Sequence, residues 1–244
     1  MTFPVLFFDD GGVLNDNALR GAQWQRMVAE FFAPILGGDP ETWAAANRVV
    51  ITGILEPTAW LARMQAAPDY RTFDHAYQLD WLHRMCAIVG VQPPPDDEAV
   101  ELARRANASI IPRIRAAFPG GAEAIRTLHA RGYLLHTASG ASSWDLAAYL
   151  DGMGVRDCFG RLYGPDLIDT FKMGPEFYTR LLADAGVAPE NALVVDDNPE
   201  VLRWAARVGA RTVLVGAGSL EGPAPTLHIG SLAELPELLP RGAA

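Results

Sequence analysis

The sequence predicts an α/β fold in which a doubly wound parallel sheet is interrupted by a separate helical insertion. Three observations carry this. Short apolar runs rich in Val, Leu and Ile alternate with helical patterns, as in βαβ units. Residues 17–116, between the first run and the second, change character and show Trp-rich helical periodicity. Acids, a hydroxyl and a lone lysine gather at or after the C-terminal ends of the runs, where open α/β sheets bind ligands.

The first run is PVLFFDD (4–10), apolar until it meets two adjacent carboxylates. The insertion follows. It holds Trp24, Trp43, Trp60 and Trp81 with Phe31, Phe32 and Leu61, and GGDP (37–40), AAPD (66–69) and VQPPPDD (91–97) punctuate it. Four or five helices are expected there, with the tryptophans in their core. Residues 120–131 carry Ala124, Ile125 and Leu128 at helical spacing, and Gly132 is a plausible stop. The second strand is YLLHTAS (133–139) and the third CFGRLYG (158–164). A helix over 176–185 carries Phe177, Leu181 and Leu182 and stops at Gly186. ALVVDD (192–197) is the fourth strand, followed by a helix over 199–208 with Val201, Leu202, Ala205 and Ala206 facing inward. RTVLVG (211–216) is the fifth, and TLHIG (226–230) a weaker sixth.

Composition narrows the function. The chain has 244 residues, half of them hydrophobic and a fifth charged, which suits a soluble globular protein of one or two domains. No apolar run approaches the roughly 18 residues of a membrane span. The N-terminus lacks the pattern of a signal peptide, so a cytoplasmic location is expected. The net charge of −9 argues against a nucleic-acid partner, because no basic stripe exists to neutralise phosphates. Cys86 and Cys158 belong to no metal-binding pattern and are expected as plain buried thiols. Lys172 is the only lysine in the chain.

The stretch FFDDGGVLND (7–16) places Asp9 and Asp10 at a strand end, where adjacent acids need a cation, and two glycines that let backbone N–H groups approach an anion. The second strand ends in Ser139-Gly140, Lys172 precedes a helix after the third, and the fourth ends in Asp196-Asp197-Asn198. Singly, each has an ordinary reading as a turn, cap or surface charge. Together they form a phosphate-handling set. Carboxylates would bind a hard cation such as Mg²⁺. Lys172 and the cation would neutralise phosphoryl oxygens, Ser139 would donate a hydrogen bond to one, and Asp9 would attack phosphorus.

These motifs resemble those of the haloacid dehalogenase (HAD) superfamily over nearly the whole chain. FFDDGGVLND is similar to the first family motif, an apolar run followed by DxDG[TV]L, with Asp9 as nucleophile. YLLHTASG is similar to the second, with Ser139 as its hydroxyl and AFPGGAEAIRTLHARGY leading into it. Lys172 in KMGPEFY is similar to the third, and VVDDNPEVLRWAARVGA to the fourth. The resemblance implies a Rossmann-like HAD core at 1–16 and 117–244, with a helical cap domain at 17–116. It implies a metal site of Asp9, the Gly11 carbonyl, Asp196 and Asp197, with Asp197 as the principal ligand. Asp9, Ser139 and Lys172 would be catalytic, and Asp10, Gly11 and Gly140 would bind substrate.

One position departs from the pattern. Gly11 stands where most phosphatases of the family carry a second aspartate that protonates the leaving oxygen and later activates water. Asp10 cannot replace it, because neighbouring strand residues point to opposite faces. The phosphonate-cleaving branch needs a cap lysine, and the insertion contains none. Haloacid dehalogenases need no metal and lack the paired acids of the fourth motif, so Asp196-Asp197 speak for Mg²⁺. A branch reading FDxGGVL is the better likeness. The resemblance therefore implies a Mg²⁺-dependent phosphatase of a small phosphorylated metabolite, monomeric or homodimeric. A metal-free dehalogenase-like hydrolase and a catalytically weakened binding or regulatory protein are the alternatives.

Overall fold

The computed structural model describes residues 4–217 and 224–240. The chain forms two compact units, one of residues up to 17 and from 115 onward, the other of residues 18–114. It opens with strand β1 (Val5–Phe8). Five helices follow: α1 (Asn17–Leu36), α2 (Pro40–Ile54), α3 (Pro57–Ala66), α4 (Tyr70–Val89) and α5 (Asp96–Ile110). The chain then alternates through α6 (Gly121–Ala130), β2 (Leu135–Ala138), α7 (Ser143–Met153), β3 (Phe159–Tyr163), α8 (Pro165–Ile168) and α9 (Pro175–Ala185). It ends with β4 (Ala192–Asp196), α10 (Pro199–Arg207), β5 (Arg211–Val215), β6 (Leu227–Ile229) and α11 (Leu235–Leu238).

The strands form one parallel sheet in the order β3-β2-β1-β4-β5-β6. Each coincides with an apolar run of the sequence, shortened by a residue or two where the ladder ends. The sheet grows one way through β2 and β3 and the other way through β4 to β6, so β1 and β4 flank the switch point at which α/β sheets bind ligands. Alternation within each strand decides what every residue meets. Leu6 and Phe8 of β1 join Leu193 and Val195 of β4 in a core covered by Ile125 and Leu128 of α6 and Leu146 and Leu150 of α7. Phe7 and Val194 face the other way, into a core with Phe177, Tyr178 and Leu181 of α9 and Leu202 of α10.

The pairing of β2 with β3 is irregular. Leu135 pairs with Phe159 but Thr137 pairs with Leu162, so β3 carries one extra residue there. The His136 side chain absorbs it, with Nδ1 accepting the Arg161 N–H at 2.9 Å.

In the helical unit, Asp39, Glu56 and Asp69 accept backbone N–H groups at the starts of α2, α3 and α4. Trp43 and Trp81 are buried against Phe32, with ring centroids 5.2 and 5.7 Å away. Trp24 and Trp60 are half-buried, so two of the four expected core tryptophans lie at its edge. The buried Asp74 accepts from Arg104 Nη2 at 2.8 Å and Gln78 Nε2 at 3.0 Å, which satisfies an acid that would otherwise be costly to bury. Cys86 is buried, and burial pushes its thiol up to about 11. Cys158, in the 3₁₀ turn before β3, packs against the core but is only half-buried, contrary to the expectation of two buried thiols. Among the described residues no helix is long and apolar enough to cross a membrane.

Candidate active site

The site is built by the register of β1 against β4. Phe8 pairs with Val195, and one step further Asp9 donates its N–H to the Val195 carbonyl at 2.9 Å, which sets Asp9 beside Asp196. Asp9 and Asp196 continue the alternation of Phe7 and Val194, toward the face that α9 covers. Lys172, three residues before α9, reaches both: its Nζ donates to Asp9 Oδ1 at 2.9 Å and to Asp196 Oδ2 at 2.7 Å. All three side chains are largely withdrawn from solvent, Asp196 to 1%.

Asp197 completes the group. Asp9, Asp196 and Asp197 each offer a carboxylate oxygen, and these oxygens lie within 4.8 Å of one another. Gly12 makes room for this. It adopts φ +91°, and a Cβ there would stand 2.1 Å from Asp197 Oδ2. The second glycine of FFDDGGVLND is thus demanded both by its backbone and by Asp197.

Three acids and one lysine leave the cluster short of positive charge. Burial pushes the Asp196 carboxyl up to about 7, opposed by Lys172 and reinforced by Asp9. Burial and Asp9 also raise Asp197. Burial alone would lower the Lys172 ammonium, but the carboxylates of Asp196 and Asp9 hold it well above its ordinary value. The two carboxylates that face its Nζ favour the charged ammonium. Asp196 is further tied at Oδ1 by the Asn198 N–H at 2.8 Å, and Asn198 in turn caps α10 by accepting from Glu200 N at 2.9 Å.

Asp10 follows the opposite parity, that of Phe8. It is 2% exposed, and its Oδ1 accepts from Asn15 Nδ2 at 2.7 Å while its carbonyl accepts from the Leu14 and Asn15 N–H groups. Its side chain holds the loop rather than turning toward Asp9. Gly11 bridges to Asn15 within this same loop.

Ser139 lies just beyond β2, next to β1 in the sheet, and is 4% exposed. Its N–H donates to Tyr163 O at 3.1 Å, and its Oγ accepts from the Ala141 N–H at 3.4 Å. A Cβ on Gly140 would meet nothing within 4 Å, so space is open above it.

Sequence reasoning missed Asn15, Asp166 and Tyr178. Asp166 takes two hydrogen bonds from Ser143 behind the Ser139 loop. Tyr178 is fully buried within electrostatic reach of Lys172, Asp196 and Asp9, its hydroxyl has no hydrogen-bond partner among the described residues, and burial raises its pKa. Its place six residues after Lys172 was the available signal.

Comparison with known proteins agrees with this architecture. A phosphoglycolate phosphatase of Rhodospirillum rubrum is 29% identical over 116 residues, 48% of this chain and 47% of that protein, so the chain spans about half the length of that relative. A defluorinating L-2-haloacid dehalogenase superposes with a TM-score of 0.69 at 16% identity, covering 98% of this chain and 95% of that one. A HAD phosphatase from Thermococcus onnurineus superposes with a TM-score of 0.62 at 18% identity, covering 99% and 100%. At such identities the two likenesses show the fold alone. The sequence model of the haloacid dehalogenase-like hydrolases matches residues 5–209. With that match over most of its length and this sheet order, the chain belongs to the haloacid dehalogenase-like hydrolase family.

Proposed function

We propose that the protein is a Mg²⁺-dependent phosphatase of a small phosphorylated metabolite, working through an aspartyl-phosphate on Asp9. The observation that carries this reading is the bridge from Lys172 to Asp9 and Asp196 inside a three-carboxylate cluster. A carbon–halogen bond needs one nucleophile but no such surplus of negative charge, whereas a hard, oxygen-seeking cation fits it. Asp9, Asp197 and the Gly11 carbonyl would hold the cation, with Asp196 beside them. When bound it would neutralise phosphoryl oxygens.

The residues then divide the work. Lys172 holds Asp9 Oδ1, which leaves Oδ2 to attack phosphorus and orients it. The P–O bond to the leaving group breaks, and an alkoxide or weaker base departs. Lys172 also meets the transferred group with positive charge, and the Ser139 hydroxyl donates to one of its oxygens. Water then cleaves the acyl phosphate, releases phosphate and restores Asp9. Gly11 supplies no proton in either step. We assign residues 17–116 to the family's helical cap, and Asp10 to the loop after β1 rather than to side-chain contact with substrate. Nucleic acid and membrane have no part in this reading, which places a monomer or homodimer in the cytoplasm.

The test is turnover of a panel of phosphorylated metabolites and aryl phosphates with Mg²⁺ and with chelator, beside a panel of 2-haloacids. Mg²⁺-dependent phosphate release supports the reading. Metal-independent halide release would establish the dehalogenase alternative, and inertness on both panels a binding or regulatory role.

A further inference from the structure

The loop that presents Ser139 is fastened to the end of β3 and the segment after it at three points. At its start, the Ser139 N–H donates to the carbonyl of Tyr163 at 3.1 Å. In its middle, Ala141 presses on Gly164 so closely that a Cβ there would stand 2.1 Å from the Ala141 oxygen. At its end, Ser143 gives both of its donors to Asp166: the N–H to Oδ1 at 2.7 Å and the hydroxyl to Oδ2 at 2.5 Å. Asp166 stands on the first turn of α8, directly after β3, and Ser143 begins α7.

The third contact differs in kind from the others. Hydrogen bonds to a carboxylate are shorter and stronger than neutral ones, and two from one residue fix orientation as well as distance. The loop needs such an anchor. Its residues Ser139, Gly140, Ala141 and Ser142 are small, and a Cβ on Gly140 would meet nothing within 4 Å; Ser142 caps α7 by accepting the Asp145 N–H at 3.2 Å, but that bond ties the loop to α7 alone. Within the loop the Ser139 oxygen accepts the Ala141 N–H, which leaves the hydroxyl proton to be donated elsewhere. Where that proton points depends on the path of the four residues before Ser143.

We propose that Asp166 is a positioning residue: by holding Ser143 it sets where the Ser139 hydroxyl meets the substrate. This rests on the reading of Ser139 as the donor to a phosphoryl oxygen. Displacing a reacting or binding group by about 1 Å costs on the order of 10²-fold in rate, which bounds the expected effect.

The experiment combines kinetics with hydrogen exchange. Asp166→Ala should lower kcat/KM for an aryl phosphate by about 10- to 100-fold. Asp166→Asn, which keeps one acceptor of the two, should fall between. In a Ser139→Ala background, Asp166→Ala should cost no more than about twofold further, because the group it positions is already gone. Amide exchange over residues 139–145 should quicken in Asp166→Ala while β1 and β4 stay protected. An equal loss in both backgrounds would overturn the proposal, since a general structural defect ignores Ser139. Unchanged exchange over 139–145 would overturn it as well. If Ser139→Ala alone leaves kcat/KM unaltered, the phosphoryl reading of Ser139 fails and takes the proposal with it. The exchange result distinguishes that case from one in which only the clamp is missing. Should Asp166→Ala not fold, Asp166→Asn and Ser143→Ala, which removes the hydroxyl's bond from the other side, carry the same comparison.

Discussion

Gly12 and Asp197 meet with no room for a side chain between them: a Cβ on Gly12 would lie 2.4 Å from Asp197 Cγ and 2.1 Å from its Oδ2. Gly12 also adopts φ +91°, where side chains are strained. Gly12→Ala should therefore destabilise the protein by at least about 1–2 kcal/mol from backbone strain and push Asp197 off its place. Its Mg²⁺ affinity should fall alongside that of Asp197→Ala. Calorimetric titration checks this, and undiminished affinity in Asp197→Ala would count against Asp197 as a ligand.

Lys172 is the cation that makes the burial of Asp196 tolerable. Lys172→Met should cost about 3–5 kcal/mol in chelator, because a buried carboxylate loses its partner. Mg²⁺ should recover part of that loss by linkage, more than it adds to the unaltered protein. Urea denaturation with and without Mg²⁺ measures both. Equal stability of variant and parent in chelator would mean that the cluster is not short of positive charge. Asp9→Asn should abolish turnover while leaving Lys172 a neutral acceptor.

On the proposed reading, Gly11 would leave the departing group without a proton donor at that position. Turnover of alkyl phosphates should be slow, and that of aryl or acyl phosphates much less so, since a leaving oxygen of low pKa departs unprotonated. The missing group is worth about 10²- to 10⁴-fold. Gly11→Asp should raise kcat/KM most for the poorest leaving groups. A leaving-group series on both proteins decides it: no dependence on leaving-group pKa in the unaltered enzyme would show that another residue supplies the proton.

His136 makes stability depend on pH. Burial lowers its imidazole below the ordinary 6.5, and Nδ1 accepts from Arg161 N–H, a bond only the unprotonated ring can take. Below pH 6.5 the unfolded chain binds a proton that the folded chain refuses. The unfolded state is then favoured, and stability falls with pH until the depressed folded value is reached. His136→Asn keeps an acceptor in the same place but does not titrate. Its stability curve should be flatter than the parent's below pH 6.5, and parallel curves would discount His136 as the cause.

The inner sheet was legible in the sequence because strands buried on both faces, such as β1 and β4, must be apolar nearly throughout, whereas the edge strands β3 and β6 keep exposed residues and show shorter apolar stretches. The residues of the candidate site were legible for a related reason: Asp9, Ser139, Lys172 and Asp196-Asp197 interrupt or follow those runs at their C-terminal ends, where burial does not explain a polar residue. Other facts needed the fold. That Asp9 faces Asp196 depends on the register of β1 against β4, which local sequence does not specify. That Asp10 turns instead to Asn15 could be guessed from alternation, but its partner could not. Why the second glycine must be a glycine is settled by Asp197, 185 positions away in the chain. Asp166 gave no local signal, since an acid opening a helix is ordinary; only the packing of α7 against the end of β3 delivers both Ser143 donors to it. Periodicity and chemical type are written along the chain, whereas distances between side chains exist only once the strands have chosen their neighbours.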